Sequence, residues 1–174
     1  MPWETTLQRT RLVPGALIAL SAAGLAVSAY LSAAHFGGPP LTCGGIGGCD
    51  TVNSSRYAYF AGLPVALLGA FLYVTLMALA AAWVIRGWDE RLMTAFWGLA
   101  LAGALYALYL TYVELAIIDA VCVWCVTSAL IVSACLGLSS WALLSAERPE
   151  AAPVQAPERR RGPAGAGSRQ RSRT

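Results

Sequence analysis

The sequence contains no lysine, and charge of either sign is scarce. Its 174 residues include 12 basic side chains, all arginine, 9 acidic ones and one histidine. Charged residues make up 12% of the chain and hydrophobic ones 57%, whereas a soluble domain carries about a quarter charged residues. Such a chain belongs in a bilayer rather than in water. No glycine-rich phosphate cradle opens a helix, no Ser-His-Asp arrangement is present, and no carboxylate pair lies inside an apolar run. These absences argue against nucleotide hydrolysis and triad chemistry. The arginines sit at the edges of apolar runs and in a tail, so nucleic acid is not an expected partner.

Long apolar runs, by contrast, are abundant. Four stretches, near Leu12–Phe36, Leu63–Ile85, Leu92–Val113 and Ala120–Leu144, reach the roughly 20 residues that cross a hydrocarbon core. None holds Asp, Glu or Arg, and one such charge at mid-bilayer costs on the order of 3 kcal/mol. Backbone groups in lipid must be satisfied internally, so each run is expected to be a helix. The fold class expected is an all-α integral membrane protein, a four-transmembrane-helix bundle occupying residues 1–145. Small residues, Gly24 with Ser28 on the first span and Gly98 with Ala102 on the third, are expected to permit close packing. The first run exceeds the 7–15 residues of a signal-peptide core and reads as a retained anchor.

The arginines also orient the chain. Arg9 and Arg11 precede the first span, Arg86 and Arg91 flank the turn between the second and third, and seven more follow the fourth. Only Arg56 falls on the other side. The positive-inside rule therefore puts both termini in the cytoplasm. The loop from about Gly37 to Gly62 and the turn Glu114–Asp119 then face outward, with Glu114 and Asp119 as solvated surface charges. Residues 146–174 are rich in Pro, Gly, Ser and Arg and poor in large apolar side chains. Such a tail buries too little surface to offset its ordering entropy and is expected to be disordered.

Five cysteines remain to be placed. Cys43 and Cys49 sit in the outer loop, in TCGGIGGCD, and Cys122 and Cys125 form CVWC at the outer end of the fourth span. The arginine-derived topology puts all four on the oxidising side, where disulfides persist. Asp119 is a plausible N-cap for the fourth span, with Cys122 in its first turn. A helix N-terminus favours the thiolate, the species that attacks a disulfide. An i, i+3 spacing puts both sulfurs on one helix face, with Cα atoms roughly 5–6 Å apart, within disulfide range. The glycines between Cys43 and Cys49 make a pliant link that lets either sulfur swing toward a partner. The plainer alternatives are a static loop disulfide and two buried structural thiols. A zinc site built from all four cysteines is the main rival. The CGGIGGC spacing is wider than the usual knuckle and the compartment is oxidising, so no metal is expected. Two redox pairs in one small membrane protein suggest a relay. Cys135, mid-span, reads as core packing. His35 is expected at the interface with a hydrogen-bond partner. Tyr106, Tyr109, Tyr112, Trp83 and Trp88 read as interfacial aromatics. Trp124, between the inner cysteines, is a candidate to line a ring-shaped pocket.

The pattern resembles the vitamin K epoxide reductase family in its bacterial form. The run CGGIGGCDTVNSSRYAYFAGLPVALLGAFLY carries the loop cysteines and then Asp50, Val52, Ser55, Tyr57, Ala58, Gly62, Pro64, Gly69 and Tyr73 in family-like order; CVWC completes the match over about residues 12–145. The DsbB family also has four spans and two cysteine pairs, but with the CxxC in the first outer loop, the reverse of the order here. The resemblance implies a bundle around a quinone, of ubiquinone or menaquinone type, with a short helix on the outer surface near Asp50–Ala61. It implies that Cys43 meets a thioredoxin-like, DsbA-like partner, that Cys49 exchanges with Cys122, and that Cys125 faces the quinone. Ser55, with Asp50 nearby, would steady the surface helix and its cysteine. The partner would be a separate protein, and the site would be the bacterial cytoplasmic membrane. Animal members carry Tyr four residues after the last redox cysteine, where this chain has Ala129, and Asn near the second span, where this chain has none after Asn53. Quinone reduction coupled to disulfide formation is therefore expected ahead of epoxide reduction. The remaining alternative is a non-enzymatic helical membrane scaffold.

Overall fold

The computed structural model describes residues 2–38, 40–43 and 48–146. All but the first residue of the expected disordered tail, and most of the glycine link between Cys43 and Cys49, lie outside the described residues. Among the described residues five α-helices appear, in the order α1 (Pro2–His35), α2 (Cys49–Asn53), α3 (Val65–Arg86), α4 (Glu90–Val113) and α5 (Val123–Ala146). Four stretches among the described residues are long and apolar enough to span a membrane: Leu12–His35, Val65–Arg86, Glu90–Ile118 and Val123–Ser145. At ~1.5 Å per residue each is roughly 33 Å or longer, against a core of about 30 Å. Their outer faces carry bare apolar side chains, such as Phe71 at 77% and Ile85 at 82% exposed, where lipid replaces water.

The bundle is a ring in which α1 packs on α3 and α5, and α4 closes the far side against the same two helices. Leu17, Tyr73, Leu76, Phe96 and Cys135 fill its centre. Cys135 is fully buried there. Gly24 makes room for the Tyr73 ring, since a Cβ at that position would overlap it. Gly98, expected to be a packing notch, faces nothing within 4 Å; the notch on α4 is Gly103, where a Cβ would meet Leu72 at 2.5 Å. Asp89 caps α4 by accepting the Arg91 N–H at 2.9 Å.

Two departures from the expected layout shape the outer end. The expected short surface helix is present as α2, but it covers only the start of the Asp50–Ala61 segment. Helix α2 ends at Asn53, a 3-10 turn covers Arg56–Ala58, and strands β1 (Tyr59–Phe60) and β2 (Leu63–Pro64) form a small antiparallel hairpin. Ala61 and Gly62 both take positive φ, at 50° and 83°, as a two-residue hairpin turn of this twist requires. The second departure follows α4. Rather than entering a solvated turn after Val113, the chain continues through a π-helical segment, Glu114–Ile118. The third membrane segment therefore contains Glu114.

Candidate redox site

Cys43 and Cys49 are joined by a disulfide, with Cα atoms 6.3 Å apart. Cys43 is half-buried, and Cys49, at the start of α2, is buried. One contact within the loop and two to the bundle fix its position. The Leu41 N–H donates to the Asp50 carboxylate at 3.4 Å, the Thr42 N–H to the Tyr30 hydroxyl at 3.1 Å, and the Trp124 indole N–H to the Thr42 carbonyl at 3.1 Å. At Gly48 a Cβ would lie 2.5 Å from that of Ala120. Only glycine lets the loop approach the backbone just ahead of CVWC this closely. As a result Cys49 and Cys122 share one buried cluster with Val27, Leu31 and Leu41.

Cys122 stands immediately before α5 and caps it. Its carbonyl accepts the Val126 N–H at 3.0 Å, and its sulfur accepts the Cys125 N–H at 3.2 Å. Sulfur here does what a serine or aspartate oxygen does at most helix starts. Asp119 does not have that role. The helix begins at Val123, four residues later, and Asp119 instead takes a left-handed φ of 52° at the end of the π-helical segment. The Cys125 thiol donates to the Cys122 sulfur at 2.6 Å. That bond, with help from the Cys125 and Trp124 N–H groups, holds the Cys122 thiol below its ordinary pKa, against the opposing pull of burial and the Glu114 carboxylate.

Glu114 is not the solvated surface charge expected from its place in the sequence. It is 3% exposed. The π-helical segment turns it inward, and its Oε2 accepts the Cys122 N–H at 3.1 Å. Glu114 and Cys125 border the same cavity. The sequence signal is an acidic residue directly after an apolar run and eight before Cys122, which reads equally well as a loop charge.

Beneath the outer segment lies a largely apolar cavity of about 290 Å³, close to the lower end of the ~300–1,000 Å³ typical of small-molecule sites. Helices α1, α3, α4 and α5 form its walls, and Val52 to Phe60 contribute its roof. Cys125 and Glu114 both border it, and so do Asn53, Ser55, Tyr57 and Tyr73. Tyr73 is occupied, donating to the Ser128 carbonyl at 2.8 Å. Ser55 is not. Its hydroxyl is buried and has no hydrogen-bond partner; the roof is stitched by backbone bonds, Ser55 N–H to Val52 and Ala58 N–H to Ser55. Ser55 therefore steadies the segment through its main chain rather than its side chain. Trp124 is not among the residues bordering the cavity. Its ring meets Tyr30 edge-on at 5.0 Å, beside the loop it anchors. His35 ties the roof to α1: Nδ1 donates to the Asn53 carbonyl at 3.0 Å, and Nε2 pairs with the Tyr59 hydroxyl at 2.9 Å. Among the described residues no cluster of three or more potential ligands forms a metal site.

The family model described as the vitamin K epoxide reductase family matches residues 16–140. The chain belongs to that family. The matched region runs from within the first span to within the fourth and takes in both cysteine pairs. Membership makes the protein a membrane oxidoreductase of the quinone and disulfide type, and both cysteine pairs such chemistry needs are present.

Proposed function

We propose that this member of the vitamin K epoxide reductase family is a thiol–quinone oxidoreductase that reoxidises an extracytoplasmic, thioredoxin-like dithiol protein. The observation that carries this reading is the placing of the four cysteines. Cys49 shares a buried cluster with Cys122, and Cys125 borders an apolar cavity. The arginine distribution supports an orientation with cytoplasmic termini and the cysteines on the outer face of a bacterial cytoplasmic membrane.

In the first step a partner thiolate attacks Cys43, the better exposed sulfur of the loop disulfide, and Cys49 leaves as a thiolate. The partner's second thiol then releases Cys43, so the partner gains a disulfide and the loop pair becomes a dithiol. Next Cys49 attacks Cys122 in the oxidised inner pair, and Cys125 leaves. Cys43 attacks Cys49 and expels Cys122. That expulsion is assisted because a thiol of depressed pKa is a better leaving group. The loop disulfide is restored and two electrons now reside on Cys122 and Cys125.

The residues bordering the cavity fit a quinone ring. They are mostly apolar, and the unpartnered Ser55 hydroxyl can donate to a carbonyl oxygen; a buried hydroxyl normally has a partner. A bound quinone supplies a two-electron, two-proton acceptor. Cys125 faces it, and Cys122 completes the inner disulfide as the electrons leave.

The test is quinone reduction by the purified protein in detergent, with a reduced thioredoxin-like protein as donor. Cys43→Ala, Cys49→Ala, Cys122→Ala and Cys125→Ala are each expected to reduce turnover to background, because members of one relay fail together. Cys135→Ala is expected to remain active. With a small dithiol as donor, the two loop variants recover and the two CVWC variants do not. A wild-type protein inactive toward a panel of quinones and donors would contradict the proposal.

A further inference from the structure

Oxidising the inner pair moves protons as well as electrons, and the cavity walls are largely apolar. Glu114 is the one carboxyl among the described residues bordering that cavity. It is 3% exposed and belongs to a membrane-spanning segment, where an ionisable group is a functional candidate by default. Its position comes from the π-helical segment Glu114–Ile118, and such single-turn π segments occur often at functional sites. One carboxylate oxygen is fixed by the Cys122 N–H at 3.1 Å. Cys122 in turn is bonded to the Cys125 thiol, so the carboxylate and Cys125 flank one residue and border one cavity. The Cys125 thiol hydrogen is held by the Cys122 sulfur. The other titratable side chains bordering the cavity are Tyr57, Tyr73 and Tyr106, besides Cys125 itself. Tyr73 is engaged with Ser128, and Tyr57 accepts from Arg56 at 2.9 Å.

We propose that Glu114 is a catalytic proton carrier, taking the proton of Cys125 and delivering it to the electron acceptor in the cavity that both residues border. The assignment rests on the thiol–quinone reading above. The Cys125 S–H bond breaks, its proton passes to the Glu114 carboxylate, and Cys125 becomes a thiolate. The Cys122–Cys125 bond then forms as two electrons pass to the quinone. Glu114 gives its proton to one quinone oxygen and returns to the carboxylate. The second hydroquinone proton comes from water, replacing the one Cys122 released on becoming a thiolate.

The decisive experiment is infrared difference spectroscopy between the reduced and oxidised inner pair, in a chain carrying Cys43→Ala, Cys49→Ala and Cys135→Ala and poised with a small dithiol and its disulfide. The carboxylate stretching bands of Glu114, which accepts from the Cys122 N–H, are expected to shift with the redox state of the pair, and that signal should vanish in Glu114→Gln. Isotope labelling of glutamate carboxyls assigns the band if Glu114→Gln does not fold. Glu114→Gln keeps an oxygen for the Cys122 N–H, so it is also expected to retain exchange between the pairs. Its quinone reduction should fall roughly 10²-fold, the lower end for a positioned acid–base group, with partial rescue by Glu114→Asp. A carboxyl spectrum identical in both redox states, or a folded Glu114→Gln protein of parental quinone-reducing rate, would overturn the proposal. A wild-type chain that gives the band yet reduces no quinone sinks the acceptor assigned above, not the coupling of Glu114 to the pair.

Discussion

Cys43 and Cys49 are held by a loop, and Cys122 and Cys125 by the start of a helix. The loop pair forms a disulfide six residues apart in sequence, with Cys43 half-buried and its position set by side chains reaching over from α1 and α5. The CVWC pair is set by α5 itself: the Cys125 N–H points at the Cys122 sulfur, and Glu114 stands behind it. The first arrangement suits a pair that must meet a folded protein and then turn inward. The second suits a pair whose ionisation matters more than its reach. Position thus governs the outer pair and proton chemistry the inner one, and substitutions should separate the two.

The largest separation is expected at Gly48. A Cβ there meets Ala120 at 2.5 Å and the Val121 N at 3.1 Å. Gly48→Ala should slow exchange between the pairs by roughly tenfold or more, since small misplacements of reacting atoms carry large penalties. The loop disulfide should still be reduced by a small dithiol at the parental rate. Stopped-flow exchange kinetics with each donor checks both halves.

A smaller effect is expected in the cavity. Ser55→Ala removes a hydroxyl that has no protein partner. One hydrogen bond to ligand is worth about 0.5–1.5 kcal/mol, so the KM for quinone should rise roughly threefold to tenfold with kcat little changed. Thermal stability of the ligand-free protein should not fall, because an unpartnered buried hydroxyl contributes nothing favourable. A Tm that drops with an unchanged KM would make Ser55 a structural residue.

The smallest effect is an ionisation shift. The Cys122 thiol is held below its ordinary value chiefly by the Cys125 thiol. In a chain lacking the other three cysteines, thiolate absorbance should therefore titrate below the ordinary thiol range. Adding Cys125→Ala should move that titration upward, toward more alkaline pH, because the main donor to the thiolate is gone. A titration that does not move would show that the helix N-terminus alone sets the value.

Much of this layout is readable in the residues. The four apolar runs give the spans to within a few residues at most ends, because lipid makes one demand on composition along each run. The cysteine spacings mark the two pairs, since sulfur chemistry is restricted to few positions. Glu114 is not legible. An apolar stretch ending in glutamate looks like a helix reaching water, and neither the π-helical segment that turns it inward nor the Cys122 N–H that it meets, eight residues on, shows in the composition. Trp124 misleads for a similar reason: its indole reaches Thr42, distant in sequence but adjacent in the fold. The hairpin over Tyr59–Pro64 is hidden because its first turn residue is Ala61, at a positive φ that alanine seldom adopts.

The account depends most on electrons passing from Cys49 to Cys122, and trapping that bond tests it most directly. A chain carrying Cys43→Ala and Cys125→Ala, with Cys135→Ala to remove the bystander, lacks the sulfurs that would resolve a Cys49–Cys122 disulfide. Oxidised in membranes and digested, it should yield a peptide pair joined through Cys49 and Cys122 in high yield, and the pair should be lost under reducing conditions. Free thiols at both positions after oxidation would mean that the two sulfurs do not meet, and would contradict the relay.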